Sequence, residues 1–349
     1  GCTKKCWPTP VLAPFCRTLR PLAISAFAQE SSRPCALLHD CLEVLTVSDD
    51  DAARVAVMGA VAYDIIGKTD KIFASNGPGL NCKVTTQQEF FGGCAGNIAY
   101  GLKLLDTRCS LLSLAGSEDF RRYAQHLGSS LPGVLSVRGA HCAKANIITD
   151  PNGTQFTAFS PGPEVDRATW EAHLRNQSFT ALDMFVCVPF PVPLMGGALE
   201  IAKTANPNIF NLWVPGQYAD SMSADDLRRA LMHCDLLIGN AHEIGYIRQT
   251  APGCLTNKSV IETDGARPVR TVLSDGNQRT LPTPRISPAV DPTGCGDAFV
   301  AGLIPQLLQA LDALGSAHWE RKINAIVRAG IHQAGLCLSQ RGSQTYRRR

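Results

Sequence analysis

The chain has no CxxC pair and no uninterrupted run of 18 apolar residues. The first absence excludes the zinc-ribbon and thioredoxin spacings, which need two thiols within one tight turn. The second argues against a simple membrane-spanning helix. The most apolar stretch, Ala181 to Ala202, is broken by Asp183 and three prolines. Strong charge of one sign is missing too. The formal net charge is +3 over 349 residues, so the charge balance calls for neither a nucleic acid nor an anionic membrane as partner. Arg347, Arg348 and Arg349 cluster at the end and read as a solvated, frayed terminus.

What is present is an ordinary globular balance, 45% apolar and 18% charged. The length suits one large α/β domain, or one domain with an accessory piece. Five of the 14 cysteines fall in the first 41 residues and the other nine are scattered singly. Scattered single thiols act as small buried hydrophobes and fit a reducing compartment. A cytoplasmic location is therefore expected.

Residues 1 to 52 differ from the rest. They carry the cysteine cluster and five prolines, and show no sustained period of two or 3.6. The first 29 residues hold Lys4, Lys5, Arg17 and Arg20 and no acid, and Leu22-Ala-Ile-Ser-Ala-Phe-Ala28 has the outline of an apolar core before a small-residue cleavage site. This segment reads as a poorly ordered or non-native extension, with a targeting peptide as the alternative.

From Arg54 onward the pattern changes. Val55-Ala-Val-Met-Gly59 has the form of a buried first strand ending at glycine. Further strands are predicted over 109–115, 184–188, 209–213, 236–239, 260–263 and 270–274. Helical patterns lie between or after them over 93–105, 118–127, 196–205, 224–233, 292–314 and 319–339. This alternation implies a mostly parallel sheet covered on both faces. Two polar, turn-rich segments, about 64–90 and 144–160, break the rhythm. The second contains Thr149-Asp-Pro-Asn-Gly153, a hairpin turn between Ala145-Asn-Ile-Ile148 and Gln155-Phe-Thr-Ala-Phe159. Together the two segments are expected to form a small β-sheet projecting as a lid.

The most informative stretch is Val290-Asp-Pro-Thr-Gly-Cys-Gly-Asp-Ala-Phe299. A two-glycine loop opens directly into an apolar helix. Free N–H groups and the helix dipole favour an anion there, and glycine lets backbone approach it closely. An aspartate at that place is poorly suited to bind the anion. It is better suited to accept a proton from a nearby hydroxyl, and phosphoryl transfer needs both functions.

Asp291 to Phe299 resembles the C-terminal signature of the ribokinase-like (PfkB) family of carbohydrate and nucleoside kinases, roughly D-T-x-G-A-G-D, with Pro292 and Cys295 as departures. Phe91-Gly-Gly-Cys-Ala-Gly-Asn97 is similar to the family's G-G-x-x-x-N, Gly59-Ala-Val-Ala-Tyr-Asp64 to its first-strand G-x-x-x-x-D, and Asn240-Ala-His-Glu243 to its N-x-x-E. The four stand in family order and cover about residues 54–346. The resemblance implies a ribokinase-like α/β fold, a mostly parallel sheet in a three-layer α/β/α arrangement with a β-sheet lid. It implies Asp297 as catalytic base and the backbone of Gly294, Cys295 and Gly296 as anion hole. It further implies Asp64, Gly92, Gly93 and Asn97 as acceptor-binding residues, and Asn240 and Glu243 as residues ordering water around Mg²⁺ and the phosphates of ATP. Gly265, in Thr263-Asp-Gly-Ala-Arg-Pro268, would lie by the ATP site, although Pro268 stands where the family usually has glycine.

Each assignment has a plainer alternative. Asp64 could cap a strand end, Gly92 and Gly93 could form a strand-to-helix turn, and Asn240 and Glu243 could be a turn residue and a first-turn acid. Cys295 is not expected to act as a nucleophile, since no partnered histidine is evident nearby. Phe210-Asn-Leu-Trp-Val-Pro215 and Arg328-Ala-Gly-Ile-His-Gln-Ala334 resemble the adenosine kinase branch, while residues 90–100 and 152–162 resemble bacterial adenosine-kinase-like proteins. Adenosine is therefore the expected acceptor, with a sugar as alternative and a non-catalytic ligand-binding relative as the third reading. Phe159 and Trp213 are candidate walls for a base. Monovalent-cation dependence, and the choice between monomer and homodimer, stay open.

Overall fold

The computed structural model describes residues 53–73, 81–128, 131–286 and 289–347. The expectations for residues 1–52 lie outside the described residues. In chain order the strands are β1 (Val55–Met58), β2 (Ala62–Thr69), β3 (Val84–Gly92), β4 (Cys109–Gly116), β5 (Val134–Val137), β6 (Ala143–Thr149), β7 (Gln155–Ser160), β8 (Met184–Cys187), β9 (Phe210–Trp213), β10 (Leu236–Asn240), β11 (Ser259–Thr263), β12 (Val269–Val272) and β13 (Gln278–Leu281). The helices are α1 (Cys94–Leu104), α2 (Phe120–Leu127), α3 (Arg167–Arg175), α4 (Val192–Met195), α5 (Ala198–Ala205), α6 (Ala224–Met232), α7 (Ala241–Thr250), α8 (Cys295–Leu314) and α9 (Ile323–Leu338).

All four residues of β1 are buried, as an uninterrupted apolar strand requires. The strand lies inside the main sheet, whose order is β13-β12-β11-β10-β9-β8-β1-β4-β5. Val55 pairs in parallel with Cys109 on one side and Met184 on the other. The strands from β5 to β11 run parallel, while β12 and β13 add an antiparallel edge.

Successive residues of a strand face opposite sides, and β1 divides its side chains accordingly. Val55 and Val57 join a core with Ile98 of α1, Tyr123 of α2, Leu303 of α8 and Ile326 of α9. Ala56 and Met58 join a second core with Trp170 of α3, Leu199 of α5, Leu227 of α6 and Ile244 of α7. Helices therefore cover both faces, in the expected three layers. Helix α8 is long and apolar enough to cross a membrane, but its apolar residues from Phe299 to Leu308 belong to the first core.

The segments 64–90 and 144–160 contribute to a second sheet, ordered β3-β2-β6-β7. Its central pair, β2 and β6, is parallel, and the outer pairs are antiparallel. The turn between β6 and β7 is held by Asp150, whose Oδ1 accepts N–H bonds from Asn152 and Thr154 at 2.9 and 2.8 Å, with Gly153 at φ 85°.

Several boundaries depart from expectation. The helix predicted from Pro292 begins at Cys295, because Gly294 adopts a left-handed conformation and caps it. The predicted 319–339 helix divides into a 3₁₀ turn, Trp319–Lys322, and α9. Strands β5 and β13 and helices α3, α4 and α7 were not anticipated. Strand β13 is three-quarters exposed, so it carries no apolar pattern.

Candidate active site

The loop before α8 is built around Asp291, which is buried. Its Oδ1 accepts the Thr293 N–H at 3.0 Å and its Oδ2 accepts the Gly342 N–H at 2.9 Å. The loop then turns through Gly294 at φ 76°. A Cβ there would come within 2.3 Å of the Ser343 Cβ, so both the turn and the packing demand glycine. A Cβ on Gly296 would meet no atom within 4 Å, which leaves the backbone at the head of a 20-residue helix open to approach. The first-turn N–H groups of a helix lack intrahelical partners and carry its positive end. An anion fits there without a basic side chain.

Asp297 stands in the first turn of α8. Its Oδ2 accepts a hydrogen bond from Asn97 Nδ2 at 2.8 Å, and the Cys94 thiol donates to the same carboxylate. Burial, with a smaller contribution from the charge of Asp64, pushes the Asp297 carboxyl up to about 7, against the lowering effect of Asn97 and Cys94. A carboxyl poised near neutrality suits a general base. Burial and the Asp297 carboxylate hold the Cys94 thiol well above its ordinary range, so it remains a donor.

Asp64 lies on β2 opposite Phe90 of β3 and beside Ala145 of β6. It is 6% exposed, and burial followed by the charge of Asp291 raises it to about 6. A Cβ on Gly92 would fall 2.2 Å from its Oδ2, so residue 92 must be glycine for the carboxylate to sit where it does. Gly93, at φ 86°, is the N-cap of α1. A Cβ there would strike the Ala60 carbonyl and the Ala62 N–H at 2.6 Å. The fold thus brings Asp64, Gly92, Gly93, Asn97 and Asp297 together where β2, the start of α1 and the start of α8 converge.

On the other side of the anion loop is a cleft of about 660 Å³. Gly265, Val269, Ile286, Cys295, Gly296 and Phe299 are among its lining residues. Gly265 and the glycine loop therefore border one space. Asn240 and Glu243 are not part of that lining. They form a reciprocal capping box at the start of α7. Asn240 Oδ1 accepts the Glu243 N–H at 2.9 Å, and the Glu243 carboxylate accepts the Asn240 N–H at 3.0 Å and Nδ2 at 2.7 Å. Asn240 nevertheless pairs with Thr263 on the neighbouring strand, and Thr263 lines the cleft. Burial raises the Glu243 carboxyl above its ordinary value. Among the described residues no cluster of three or more His, Cys, Asp or Glu side chains could hold a metal ion. A lone carboxylate such as that of Glu243 would suit an ion that keeps most of its waters.

Three participants were not read from the sequence. Ser343 Oγ and Gln344 Nε2 each donate to Asn97 Oδ1 at 2.9 Å, and Gln344 Nε2 also donates to the Tyr123 hydroxyl at 2.7 Å. The turn residue Gly342 was the available hint for this C-terminal segment; nothing local marks Tyr123. One expectation fails: Trp213 is fully buried in the second core, because it ends β9 facing the α3–α7 layer, and it cannot wall a ligand. Phe159 does remain accessible, at 48%.

Comparison with known proteins agrees with this geometry. Residues 52–348 match the pfkB family of carbohydrate kinases. A nucleoside kinase of Methanocaldococcus jannaschii is 24% identical over 272 residues, 74% of this chain and 85% of that protein. An ATP-dependent ribose-1-phosphate kinase of Halopiger xanaduensis is 25% identical, covering 72% and 83%. The structure of a Burkholderia thailandensis nucleoside kinase in complex with inosine superimposes with a TM-score of 0.68 at 26% identity, covering 84% of this chain and 93% of that one.

Proposed function

The chain belongs to the pfkB family of carbohydrate kinases, and we propose that it is an ATP-dependent nucleoside kinase, with adenosine as acceptor and the 5′-hydroxymethyl oxygen as the phosphorylated atom. The observation that carries this reading is the position of Asp297. Its carboxylate is bound to Asn97 on one side and follows directly on Gly296, which borders the cleft, on the other.

In this reading the cleft takes ATP, which supplies the transferable phosphoryl group. The backbone of Gly294, Cys295 and Gly296 holds the charge on that group, with the Cys295 N–H turning to it from the Pro292 carbonyl that it meets at 3.2 Å. Asp64 accepts hydrogen bonds from the ribose hydroxyls, while the open backbone at Gly92 and Gly93 lets the sugar approach. Asp297 takes the proton of the attacking hydroxyl. Catalysis is then positioning together with charge stabilisation. Glu243 and Asn240 would hold Mg²⁺ through water.

The preference for a nucleoside over a free sugar is supported by the second sheet. Phe159 pairs with Ala145, and Ala145 pairs with Asp64. Residues paired across neighbouring strands share a face, so the exposed Phe159 ring stands on the Asp64 side. A flat apolar surface in that row suits a purine. The nucleoside kinases among the relatives favour the same class.

The test is ADP release by the purified protein with adenosine, inosine, ribose, ribose 1-phosphate and fructose. The expected result is a kcat/KM highest for adenosine. Turnover of sugars alone would overturn the acceptor class, and turnover of none would overturn the kinase reading.

A further inference from the structure

Behind Asn97 lies a buried chain of hydrogen bonds whose direction follows from one backbone carbonyl. The Tyr123 hydroxyl is 2.6 Å from the Gly92 carbonyl oxygen. Two oxygens that close need a proton between them, and a carbonyl has none to give. Tyr123 is therefore the donor, and its one proton is used. The atom of Gln344 that lies 2.7 Å from the same hydroxyl oxygen must then be a donor, which makes it Nε2.

That same Nε2 is 2.9 Å from the Asn97 amide. The Asn97 atom facing it must accept, so it is Oδ1. The remaining atom of the Asn97 amide is the donor Nδ2, and it is this atom that meets Asp297 Oδ2. Ser343 does not decide the matter. Its hydroxyl reaches Asn97 Oδ1 at 2.9 Å but also lies 3.3 Å from the Phe91 carbonyl, so it can donate to either and fits both amide orientations. Gln344 fits only one. It is buried, as are Asn97 and Tyr123, so water does not readily supply the missing choice.

We propose that Tyr123 and Gln344 are positioning residues for phosphoryl transfer: through them the Gly92 carbonyl sets the direction of the Asn97 amide, and hence presents a donor rather than an acceptor to the Asp297 base. A reversed amide would place Oδ1 against a carboxylate, an acceptor against an acceptor, and would hinder the ionised base. The inference about turnover rests on the kinase reading, but the hydrogen-bond order itself does not.

The experiment reads the Asp297 carboxyl directly in the full chain without ligands. Its ¹³C resonance, assigned by its loss in Asp297→Asn, is followed against pH in the wild type, Gln344→Met and Tyr123→Phe. Asp64 and Cys94 face Asp297 in all three proteins, and His126 beside Gln344 is kept below its ordinary value by burial. The expected result is a midpoint that moves upward in Gln344→Met, with a smaller upward movement in Tyr123→Phe. In turnover, kcat at neutral pH should fall by about tenfold in Gln344→Met with KM for ATP unchanged. An unmoved Asp297 midpoint in a Gln344→Met protein that melts like the wild type overturns the proposal. If that variant does not fold, an unmoved midpoint in Tyr123→Phe does so. A wild type that phosphorylates no acceptor, with the midpoints moving as expected, defeats the kinase reading and leaves the positioning role intact.

Discussion

Asn97 Nδ2 stands 2.8 Å from Asp297 Oδ2 and joins the first turns of two helices 200 residues apart in sequence. Each helix begins at a glycine with positive φ, Gly93 for α1 and Gly294 for α8. The two glycine loops thus face each other across one hydrogen bond, which in the proposed function would divide an acceptor side from a phosphate side.

Replacing the base is the first test of that division. Asp297→Asn should lower kcat by about 10²–10⁴-fold, the usual worth of a positioned general base. Calorimetric titration should show ATP binding retained, because the anion site is backbone. Retained turnover would refute the role of Asp297.

The raised Asp297 carboxyl also ties stability to pH. Between the ordinary value of 3.8 and about 7, the native side chain keeps a proton that the unfolded chain has released. Stability therefore falls as pH rises through that window and is level above it. Asp64, raised to about 6, acts with the same sign. Activity runs the other way, since only the ionised base accepts a proton. Asp297→Asn should melt higher than the wild type at pH 8, and the difference should close by about pH 4. A constant difference across that range would contradict the assignment.

Gly96 offers a test of packing alone. A Cβ there would fall 1.8 Å from the Tyr123 hydroxyl oxygen. Gly96→Ala should cost about 1–3 kcal/mol in urea unfolding, as overpacked cores do. Adding Tyr123→Phe removes the nearest clashing atom and leaves the 2.8 Å approach of the ring Cζ, so the double variant should be less destabilised than the two single losses combined.

Glu243 has a structural and a proposed ionic role, and two substitutions separate them. Glu243→Ala breaks the capping box and should cost about 0.3–1.5 kcal/mol. Glu243→Gln keeps an acceptor for the Asn240 N–H but loses the charge. With one of the two acceptors for Asn240 kept, it should be less destabilised than Glu243→Ala while the Mg²⁺ concentration needed for half-maximal activity rises. An unchanged Mg²⁺ requirement would confine Glu243 to the cap.

Cys295 contributes backbone to the anion loop and no side-chain chemistry in this reading. Cys295→Ala should keep kcat within the same order of magnitude. Its side chain borders the cleft, so a bulky thiol reagent should slow the wild type and spare the variant.

The sequence was most legible where chemistry is contiguous. Asp291 to Asp297 and Gly92 to Asn97 could be read because glycine, acid and amide sit at short fixed spacings that a loop-to-helix junction requires. The first strand was legible because all its residues are buried, and the Asp150–Gly153 turn because its residues have local reasons to bend. Tyr123 and Gln344 were not legible. They meet across 221 positions, and a tyrosine on an amphipathic helix looks the same whether its hydroxyl is solvated or serves a network. Strand β13 was hidden because an exposed edge strand needs no apolar period. Trp213 misled because an aromatic residue at a strand end looks like a ligand wall until the layer facing it is known.

The place of β1 between β4 and β8 has a consequence for how the protein is made. A chain emerges from the ribosome in order, and β1 must wait for two partners. Val55 meets Cys109 fairly early, but its other neighbour, Met184, comes much later. At ordinary elongation rates that delay is on the order of ten seconds. Throughout it, an apolar strand that ends up buried on both faces has one edge unsatisfied. Nascent chains of this protein should therefore bind holdase chaperones most strongly after β1 emerges and before β8 does, and release them once the sheet closes.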